Sequence, residues 1–301
     1  PKLVKLLEYP VLPAGSTPSQ SPALYSYYDY LNYNSGVWYP LGGMSKVADS
    51  IYRIAVDTGV KFHFRSAVSA IKTDKGIATA LVAGGLEMSF DAVISACDYH
   101  FTENSLLGEP DRSYDNEFWN QKVMTPGALM FFLGLDKKLS SVQHNNIMIS
   151  KDIENIDDDF FNPSVKLQDP VFFVSVPTIT DASIAPYGKD IVSIMVPIPA
   201  GSEDTPKLRE EYYKTIMKSF YELTGEDVGK SVILRRMLSI NDFATDYNSY
   251  KGSLMGFANT LKQTNNQKPK QRSLKVKNLF FAGQTTLPGG SMPMTIISGK
   301  N

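Results

Sequence analysis

The end of the chain carries the residues best suited to binding a ligand. Residues 278–283 (NLFFAG) form a short apolar strand pattern that ends on glycine, and residues 284–291 (QTTLPGGS) form a glycine-rich turn before a helix that starts near Met292. Such a turn lets the backbone approach a ligand closely, and unpaired amides at a helix start favour an anion or a polarised carbonyl. The pattern suits a phosphate or the pyrimidine edge of a flavin. An ordinary connection between a strand and a helix fits it equally well.

Other catalytic patterns find little support. Residues 225–231 (GEDVGKS) resemble a phosphate-binding P-loop, but Thr224 occupies the position of the first glycine and the segment follows a helical pattern. Cys97 has no nearby histidine in sequence except His100, and no G-x-S-x-G motif is present, so nucleophilic catalysis is not supported. The histidines are widely spaced, which argues against a metal site: His63, His100 and His144.

The composition excludes several classes of protein. The 301 residues carry 30 Lys and Arg and 31 Asp and Glu, for a net charge of −1, which leaves no basic excess for nucleic acid. A single cysteine rules out an internal disulfide framework and a cysteine-built zinc site. The sequence has no run of about 18 apolar residues, the minimum for a transmembrane helix. At 43% hydrophobic residues the chain can bury a large core, and its length predicts two lobes or one large α/β body.

The hydrophobic periodicity predicts an α/β layer in the first third of the chain. Apolar residues recur at helical spacing over residues 44–55, and Gly59 follows as a C-terminal cap. Alternation of apolar and polar residues predicts a strand at residues 60–64. Further strands are predicted at residues 68–72, 77–83, 86–90 and 92–96. Turn dipeptides join the middle strands, which predicts a small meander attached to the layer.

The middle of the chain predicts a second, mainly antiparallel lobe. A helix is predicted over Pro206–Thr224, with Thr205 as N-cap and Gly225 just past the end. Apolar and β-branched runs occupy residues 128–135, 171–176, 191–198 and 231–240.

Two features of this lobe bear on ligand binding. The aromatic pairs Phe131-Phe132 and Phe172-Phe173 fit a protein core best, and the walls of an apolar tunnel are the alternative. The polar, basic residues 263–273 are interpreted as an exposed loop rather than a nucleic-acid patch.

Four segments resemble bacterial-type phytoene desaturases and related carotenoid desaturases, which belong to the amine-oxidase-like flavoprotein superfamily. They are residues 18–26 (PSQSPALYS), 36–44 (GVWYPLGGM), 181–188 (DASIAPYG) and 278–293 (NLFFAGQTTLPGGSMP). The resemblance runs from about Tyr9 to the end of the chain. Its most specific part is the closing segment together with the Trp-Tyr-Pro…Gly-Gly-Met block.

The resemblance implies an α/β fold with FAD as cofactor and no metal. One lobe is a Rossmann-like FAD-binding lobe, incomplete here, and the second is a mixed α+β substrate lobe built on an antiparallel sheet. The chain then divides into a substrate-lobe segment (residues 1–38), an FAD-binding segment (39–100), a substrate-binding lobe (101–272) and a C-terminal FAD-binding segment (273–301).

The resemblance also assigns roles to single residues, although it names no catalytic acid or base. Val68 matches the strand residue whose backbone meets the adenine of FAD, and Ala96 matches the end of the strand beside the cofactor. The segment against the ribityl chain and flavin ring comprises Gly283, Gln284, Gly289, Gly290, Ser291 and Met292. The candidate contacts to a long polyene substrate are Phe131, Phe132, Phe172 and Phe173.

Two departures from the family pattern bear on FAD binding. Ser291 replaces the second glycine of the usual Pro-Gly-x-Gly-x-Pro, so a Cβ alters the closest approach of the backbone to the flavin. No G-x-G-x-x-G occurs, although the family carries its pyrophosphate-binding βαβ unit at the N-terminus. The chain begins at Pro1 without Met, and residues 294–300 match the first turns of a helix. We therefore expect elements missing at both ends, the βαβ unit among them, and poor FAD binding by this chain alone.

The implied reaction is desaturation of an apolar carotenoid precursor such as phytoene. Flavin accepts a hydride from an allylic C–H, a proton leaves the adjacent carbon, and the protein supplies position and a dry channel. Such a substrate partitions into bilayers, so we expect a cytoplasmic protein held peripherally at the inner face of the cell membrane. Residues 2–7 (KLVKLL) are a candidate contact segment, and a frayed core helix is the alternative.

Three other functions stay open at this point. An amine oxidase of the same superfamily would place aromatic cage residues near the closing turn, and residues 283–300 contain no Trp or Tyr. A carotenoid isomerase would share the fold and act on polyenes without net oxidation. A non-catalytic carotenoid or lipid binder would be a remnant that has lost its dinucleotide-binding unit.

Overall fold

The computed structural model describes residue 4 and residues 7–149, 156–165, 168–264 and 267–300. The chain divides into two units. Unit 1 comprises Pro1–Asp29, His63–Gly127 and Asn241–Asn301, and unit 2 comprises Tyr30–Phe62 and Ala128–Ile240. This division follows contacts within the chain, so the predicted assignment of four segments to cofactor and substrate stays a prediction.

The described chain contains both helices and strands. The described helices are α1 (Ser26–Ser35), α2 (Ser45–Asp57), α3 (Tyr99–Phe101), α4 (Asn116–Asn120), α5 (Ile156–Phe161), α6 (Pro206–Thr224), α7 (Ile240–Asp246) and α8 (Met292–Lys300). The described strands are β1 (Val68–Asp74), β2 (Ile77–Ala83), β3 (Leu86–Ser89), β4 (Val93–Ser95), β5 (Gly127–Leu135), β6 (Asn145–Met148), β7 (Phe172–Ser175), β8 (Asp190–Ile198), β9 (Val232–Leu238) and β10 (Leu279–Phe281). This mixture of helices and largely antiparallel sheets confirms the predicted α/β fold class.

Unit 1 holds two small sheets. Strands β1, β2 and β3 form the predicted antiparallel meander. Strands β4 and β10, far apart in sequence, form a separate parallel pair in which Leu279 lies opposite Val93 and Phe281 opposite Ser95. The strand before the closing turn is therefore a real strand, paired with the strand predicted at residues 92–96.

The side chain of Asn278 joins the meander to the parallel pair. Its Oδ1 accepts the amide of Ala78 at 2.7 Å, and its Nδ2 donates to Ala78 O and Asp91 O, both at 2.8 Å. One amide side chain thus satisfies both backbone groups of Ala78, as a neighbouring strand would.

The predicted strand at residues 60–64 is wrong. These residues adopt an irregular conformation between α2 and β1, and Val60, Phe62 and Phe64 are exposed. Alternation of apolar and polar residues produces a strand only where a neighbouring strand supplies hydrogen bonds. No described strand pairs with this segment.

Helix α2 confirms the helix predicted over residues 44–55, and Gly59 follows it at φ 90°. Its apolar stripe nevertheless lies outside the buried core, since Ile51 is 50% and Ile54 63% exposed. The spacing of the apolar residues identifies the helix correctly, because this spacing does not depend on what covers the apolar face.

Unit 2 is built on a five-stranded sheet in the order β6-β7-β8-β5-β9. The pairs β6–β7, β7–β8 and β5–β9 are antiparallel, as predicted for the second lobe. One face of the sheet packs against α6, whose core residues are Tyr212, Ile216 and Phe220. Helix α6 has the predicted bounds and caps: Thr205 Oγ1 accepts the amide of Leu208 at 3.3 Å, and Gly225 adopts φ 74°.

A buried carboxylate fixes the start of β8. Asp190 is 1% exposed, accepts the amide of Leu139 at 2.8 Å and the hydroxyl of Thr178 at 2.5 Å, and pairs with Lys138 Nζ at 2.8 Å. Burial raises the pKa of this carboxyl, but the hydrogen bonds from Lys138, Thr178 and Leu139 outweigh burial and lower it.

We expect Asp190→Asn to lower the free energy of unfolding by about 2 kcal/mol at neutral pH, because three donors lose a charged acceptor. A carboxyl whose pKa is lower in the folded chain stabilises the fold above its unfolded pKa, about 4 for Asp, and loses that contribution as pH falls through the folded value. The difference between wild type and variant should therefore shrink in acid, in urea unfolding followed by circular dichroism. Asp136→Asn removes an exposed carboxylate nearby and is the control. Equal losses in both variants would contradict the role of Asp190.

Candidate functional site

The closing turn leaves its sheet at the carboxyl ends of two parallel strands. The pairing of β10 with β4 continues beyond the strands, since the amide of Ala282 donates to Ser95 O at 2.9 Å. Gly283 and Ala96 therefore meet, and a Cβ on Gly283 would lie 3.7 Å from Ala96 O. Gly283 adopts φ 106°, and its amide donates to Ser298 Oγ of α8 at 3.1 Å. The structure thus brings two predicted cofactor residues to one sheet edge, the usual location of ligands in α/β sheets.

Two buried threonines hold the loop that follows Gly283. Thr285 Oγ1 accepts the amide of Tyr99 at 3.0 Å, and Thr286 Oγ1 donates to Pro269 O at 2.9 Å. Each bond ties the loop to a different segment of unit 1, so the path of the loop is fixed on both sides.

Residues 253–258 (SLMGFA) form a strap across this loop. The strap pairs in antiparallel fashion with residues 123–126. A Cβ on Gly256 would lie 2.8 Å from Thr285 Cγ2 and 3.2 Å from Gln284 O. Backbone therefore packs on backbone here, and Gln284, a predicted cofactor residue, lies partly buried beneath the strap.

Both positions of the turn favour glycine, Gly290 because of rigid backbone beside it and Gly289 because of its backbone conformation. A Cβ on Gly290 would collide with the backbone oxygen of Met255 in the strap, and a Cβ on Gly289 would collide with Nζ of Lys268. Gly289 also adopts φ 129°, a conformation that favours glycine.

The start of α8 leaves backbone donors without a protein acceptor. Among the described residues, the amides of Gly290, Ser291 and Met292 donate to no protein group, and Pro293 has no amide hydrogen. The amide of Thr295 donates to Ser291 O at 2.9 Å. The unpaired amides and the positive end of the helix dipole together favour an electron-rich ligand group.

Ser291 lies in the backbone region that favours glycine, with φ 153°. Its Oγ accepts the amide of Met294 at 3.4 Å, a weak helix cap. The serine that departs from the family pattern therefore sits at a position whose backbone conformation still fits glycine.

A buried lysine places positive charge beside the turn. Lys268 is 3% exposed, and its Nζ donates to Asn259 Oδ1 at 2.6 Å. Within the described ranges, no carboxylate lies at ion-pair distance from this Nζ, and burial lowers its pKa to about 8. The prediction of an exposed loop over residues 263–273 is wrong for Gln263, Lys268 and Ser273, all of which are buried.

Two of the segments that carry the resemblance meet within unit 2. Asp181 Oδ2 accepts the amide of Gly42 at 2.6 Å, and its Oδ1 accepts the hydroxyl of Ser183 at 2.5 Å. These hydrogen bonds lower the pKa of Asp181, and the bond from the Ser183 hydroxyl has the largest effect. Gly42 and Gly43 adopt φ 85° and 95°. The carboxylate thus holds the turn before α2 in place.

The four predicted substrate phenylalanines divide between the two faces of the five-stranded sheet. Phe131 and Phe172 are buried in the core that faces α6, and the ring of Phe131 lies 5.3 Å from that of Tyr213. Phe132 and Phe173 alternate to the opposite face and are half-buried. Only the second pair is available to a ligand.

The face that carries Phe132 and Phe173 holds a group of apolar side chains, and Arg236 of β9 lies opposite Phe132 on the same face. Ile147 and Met195 lie opposite Phe173 on the neighbouring strands, and Met130 stands two residues before Phe132 on β5. We call these five apolar side chains the open face.

Val68, the predicted adenine contact, lies at the start of β1 opposite Ala83. It belongs to the meander rather than to the parallel pair that carries Ala96 and Gly283. Its contact with a cofactor stays a prediction.

Residues 2–7, the candidate membrane segment, lie outside the described residues except for Val4 and Leu7, which are exposed. In the described part of the chain, no helix combines the length and apolar character that crossing a bilayer requires. Over the same residues, no His, Cys, Asp or Glu side chains cluster in a way that could hold a metal ion.

Sequence reasoning missed three parts of this arrangement: Lys268, the strap and the carboxylate of Asp181. An isolated glycine between apolar residues, Gly256, signals close backbone approach and was available to find the strap. Nothing in the polar sequence around Lys268 distinguishes it from its exposed neighbour Lys270.

The residues present fit a flavin. A flavin ring presents carbonyl oxygens and ring nitrogens along its pyrimidine edge, and it gains negative charge on reduction. The unpaired amides of Gly290–Met292 supply donors, and Lys268, a buried ammonium whose only described acceptor is a neutral amide, supplies charge. The buried ammonium is the observation on which this fit rests.

Comparison with known proteins shows the fold and the family of the chain. In structure, the chain is similar to an oxidoreductase from Methanosarcina mazei, with a TM-score of 0.57 and 17% identity over 86% of this chain and 53% of that one. This likeness shows the fold. Residues 8–301 match the family described as flavin containing amine oxidoreductase, and the chain belongs to that family.

Within the family, the chain is similar to carotenoid desaturases. It is 31% identical to the carotenoid 3,4-desaturase of Haloarcula japonica, over 100% of this chain and 61% of that protein. It is 30% identical to the zeta-carotene-forming phytoene desaturase of Myxococcus xanthus, over 95% of this chain and 56% of that protein. These relatives confirm the resemblance to carotenoid desaturases, and the chain spans about three fifths of their length.

Replacing Gly290 should separate the strap from the turn. We expect Gly290→Ala to lower the free energy of unfolding by about 2 kcal/mol, because its Cβ meets the rigid backbone oxygen of Met255. Gly299→Ala, within α8, has no atom within 4 Å of the added Cβ and should gain about 0.5–1 kcal/mol from helix propensity. The midpoints of thermal unfolding of the two variants should therefore shift in opposite directions relative to wild type. Shifts in the same direction would disprove the assigned packing.

Ser291 offers a second test of the turn. We expect Ser291→Gly to be about 1 kcal/mol more stable than Ser291→Ala, because glycine relieves the unfavourable φ while alanine keeps the Cβ and loses the Oγ cap. Urea unfolding of both variants gives the comparison. If alanine equals or exceeds glycine, the backbone at this position is not strained.

Proposed function

We propose that the complete protein is an FAD-dependent desaturase of a long, apolar carotenoid precursor, with phytoene as the first candidate substrate. The family supports a flavin, and FAD is the form we propose. Two relatives are named carotenoid 3,4-desaturase and zeta-carotene-forming phytoene desaturase, which supports the reaction and the substrate class.

The open face of unit 2 is the observation that carries the substrate class. Ile147, Phe173 and Met195 are in register on three successive strands. Neighbouring strands lie about 4.8 Å apart, so these side chains form an apolar row about 10 Å long. Phe132 and Met130 extend this surface on β5. None of the five side chains can pair with an ammonium group, which favours a polyene over an amine.

The chain's own residues would act by position and by exclusion of water. The amides of Gly290–Met292 would orient the pyrimidine edge of the cofactor, with Ala96 and Gly283 beside it and the backbone of Val68 at the adenine. The open face would hold the polyene through dispersion and burial of apolar surface. A bound flavin supplies the hydride acceptor for an allylic C–H, so the protein needs few acid–base groups.

We also propose that the protein contacts the inner face of the cell membrane, because a substrate of this class partitions into lipid. Residues 2–7 are the proposed contact. Flotation of the complete protein with liposomes tests this point, and recovery entirely in the soluble fraction would count against it.

The central test uses the complete protein under anaerobic conditions. We expect a flavin absorbance spectrum that bleaches on addition of phytoene in detergent and not on addition of a primary or secondary amine. Phe132→Ala and Phe173→Ala should each raise KM for the polyene about tenfold, which corresponds to a loss of about 1.4 kcal/mol of apolar contact.

Tyr221→Ala is the matched control, since it removes an exposed aromatic side chain from α6 in the same unit. It should leave KM unchanged. Bleaching by the amine alone would support an amine oxidase, polyene turnover without bleaching would support an isomerase, and absence of flavin would support a binding remnant. Each of these three results rejects the proposed desaturation.

A further inference from the structure

Lys268 occupies the space next to the turn that a side chain at Gly289 would fill. Its Nζ is so close to that position that a Cβ on Gly289 would collide with it. The lysine is almost fully buried, and the aliphatic stem ends at the backbone of the turn rather than in solvent. The ammonium group is therefore held away from solvent and next to the backbone of the turn.

The ammonium has little compensation from the protein. An ammonium group has three donors, and the described contact is a single hydrogen bond to the neutral Asn259 Oδ1 at 2.6 Å. Desolvation is the cause that lowers the pKa of Lys268, and no charged group in the described part of the chain opposes it. A buried charge without a paired carboxylate costs several kcal/mol and is rarely kept for stability alone.

The unpaired backbone donors lie on the same turn. The amides of Gly290, Ser291 and Met292 follow directly after Gly289, the residue that Lys268 touches. Two kinds of donor, a charged side chain and successive amides, therefore converge on one short segment. Such convergence suits a ligand group that becomes anionic.

We propose that Lys268 is a positioning residue that places positive charge at the pyrimidine edge of the flavin and stabilises its reduced form. The inference rests on the proposed function, since it requires a flavin at this turn. A hydride carries one proton and two electrons, so its transfer leaves the ring one unit more negative, and an adjacent ammonium favours the product.

The test compares Lys268→Met with Lys270→Met in the complete protein loaded with FAD. Lys270 lies two residues away and is exposed, so its replacement removes the same charge from the same loop. The readout is the two-electron reduction potential of the bound flavin, from dye-coupled spectroscopic titration. We expect Lys268→Met to disfavour reduction at least tenfold, which is about 30 mV for a two-electron couple. Lys268→Arg, which keeps the charge, should restore most of the potential.

Asn259→Asp gives an independent variant that keeps the lysine. A carboxylate at this position would neutralise the ammonium, so the potential should fall in the same direction as in Lys268→Met. This variant decides the matter if Lys268→Met does not fold. If the reduction potential is unchanged in Lys268→Met, the inference is overturned and the proposed function is left intact. If Lys268→Met does not fold, an unchanged potential in Asn259→Asp has the same meaning. Failure of the wild-type protein to bind FAD overturns both.

Discussion

The close approach of two backbones at Gly290 is the constraint on which the candidate site depends. The strap reaches the turn because neither Gly290 nor Gly256 carries a side chain, and the strap is held from its other edge by residues 123–126. Three segments distant in sequence are thereby locked into one layer. This layer fixes the direction in which α8 begins, and with it the direction of the unpaired amides at the helix start.

Electrostatics around the turn follows from the same packing. Because Gly289 lacks a side chain, the stem of Lys268 can end at the backbone, and burial then strengthens every interaction that the ammonium makes. The buried threonines Thr285 and Thr286 satisfy their own hydroxyls with backbone groups and add no negative charge. The result is a small region of positive potential built mainly from backbone, which suits a cofactor that itself performs the redox chemistry.

Local sequence patterns predict much of the fold. They fail where contacts with residues distant in sequence determine the structure. Helix α6 follows from its caps, and the meander follows from alternation and turn dipeptides, because these signals act within a few residues. Apolar and polar residues alternate equally well over residues 60–64, but none of the described strands pairs with this segment. Burial of Lys268 against Gly289 depends on tertiary contacts, so no local sequence pattern predicts it. The sequence identifies the two phenylalanine pairs as candidates. Which ring of each pair stays outside the core depends on which face of the sheet α6 covers.

The bond pattern of Asn278 has a consequence for association between molecules. Strand β3 pairs with β2 only from Ala80 to Ala83, so the backbone of Ala78 extends past the end of its neighbour. An open strand edge of this kind is a template on which another chain can add a strand and start aggregation. By occupying both the amide and the carbonyl of Ala78, the side chain of Asn278 closes that edge. The first residue of the closing motif thus leaves neither backbone group of Ala78 open to another chain.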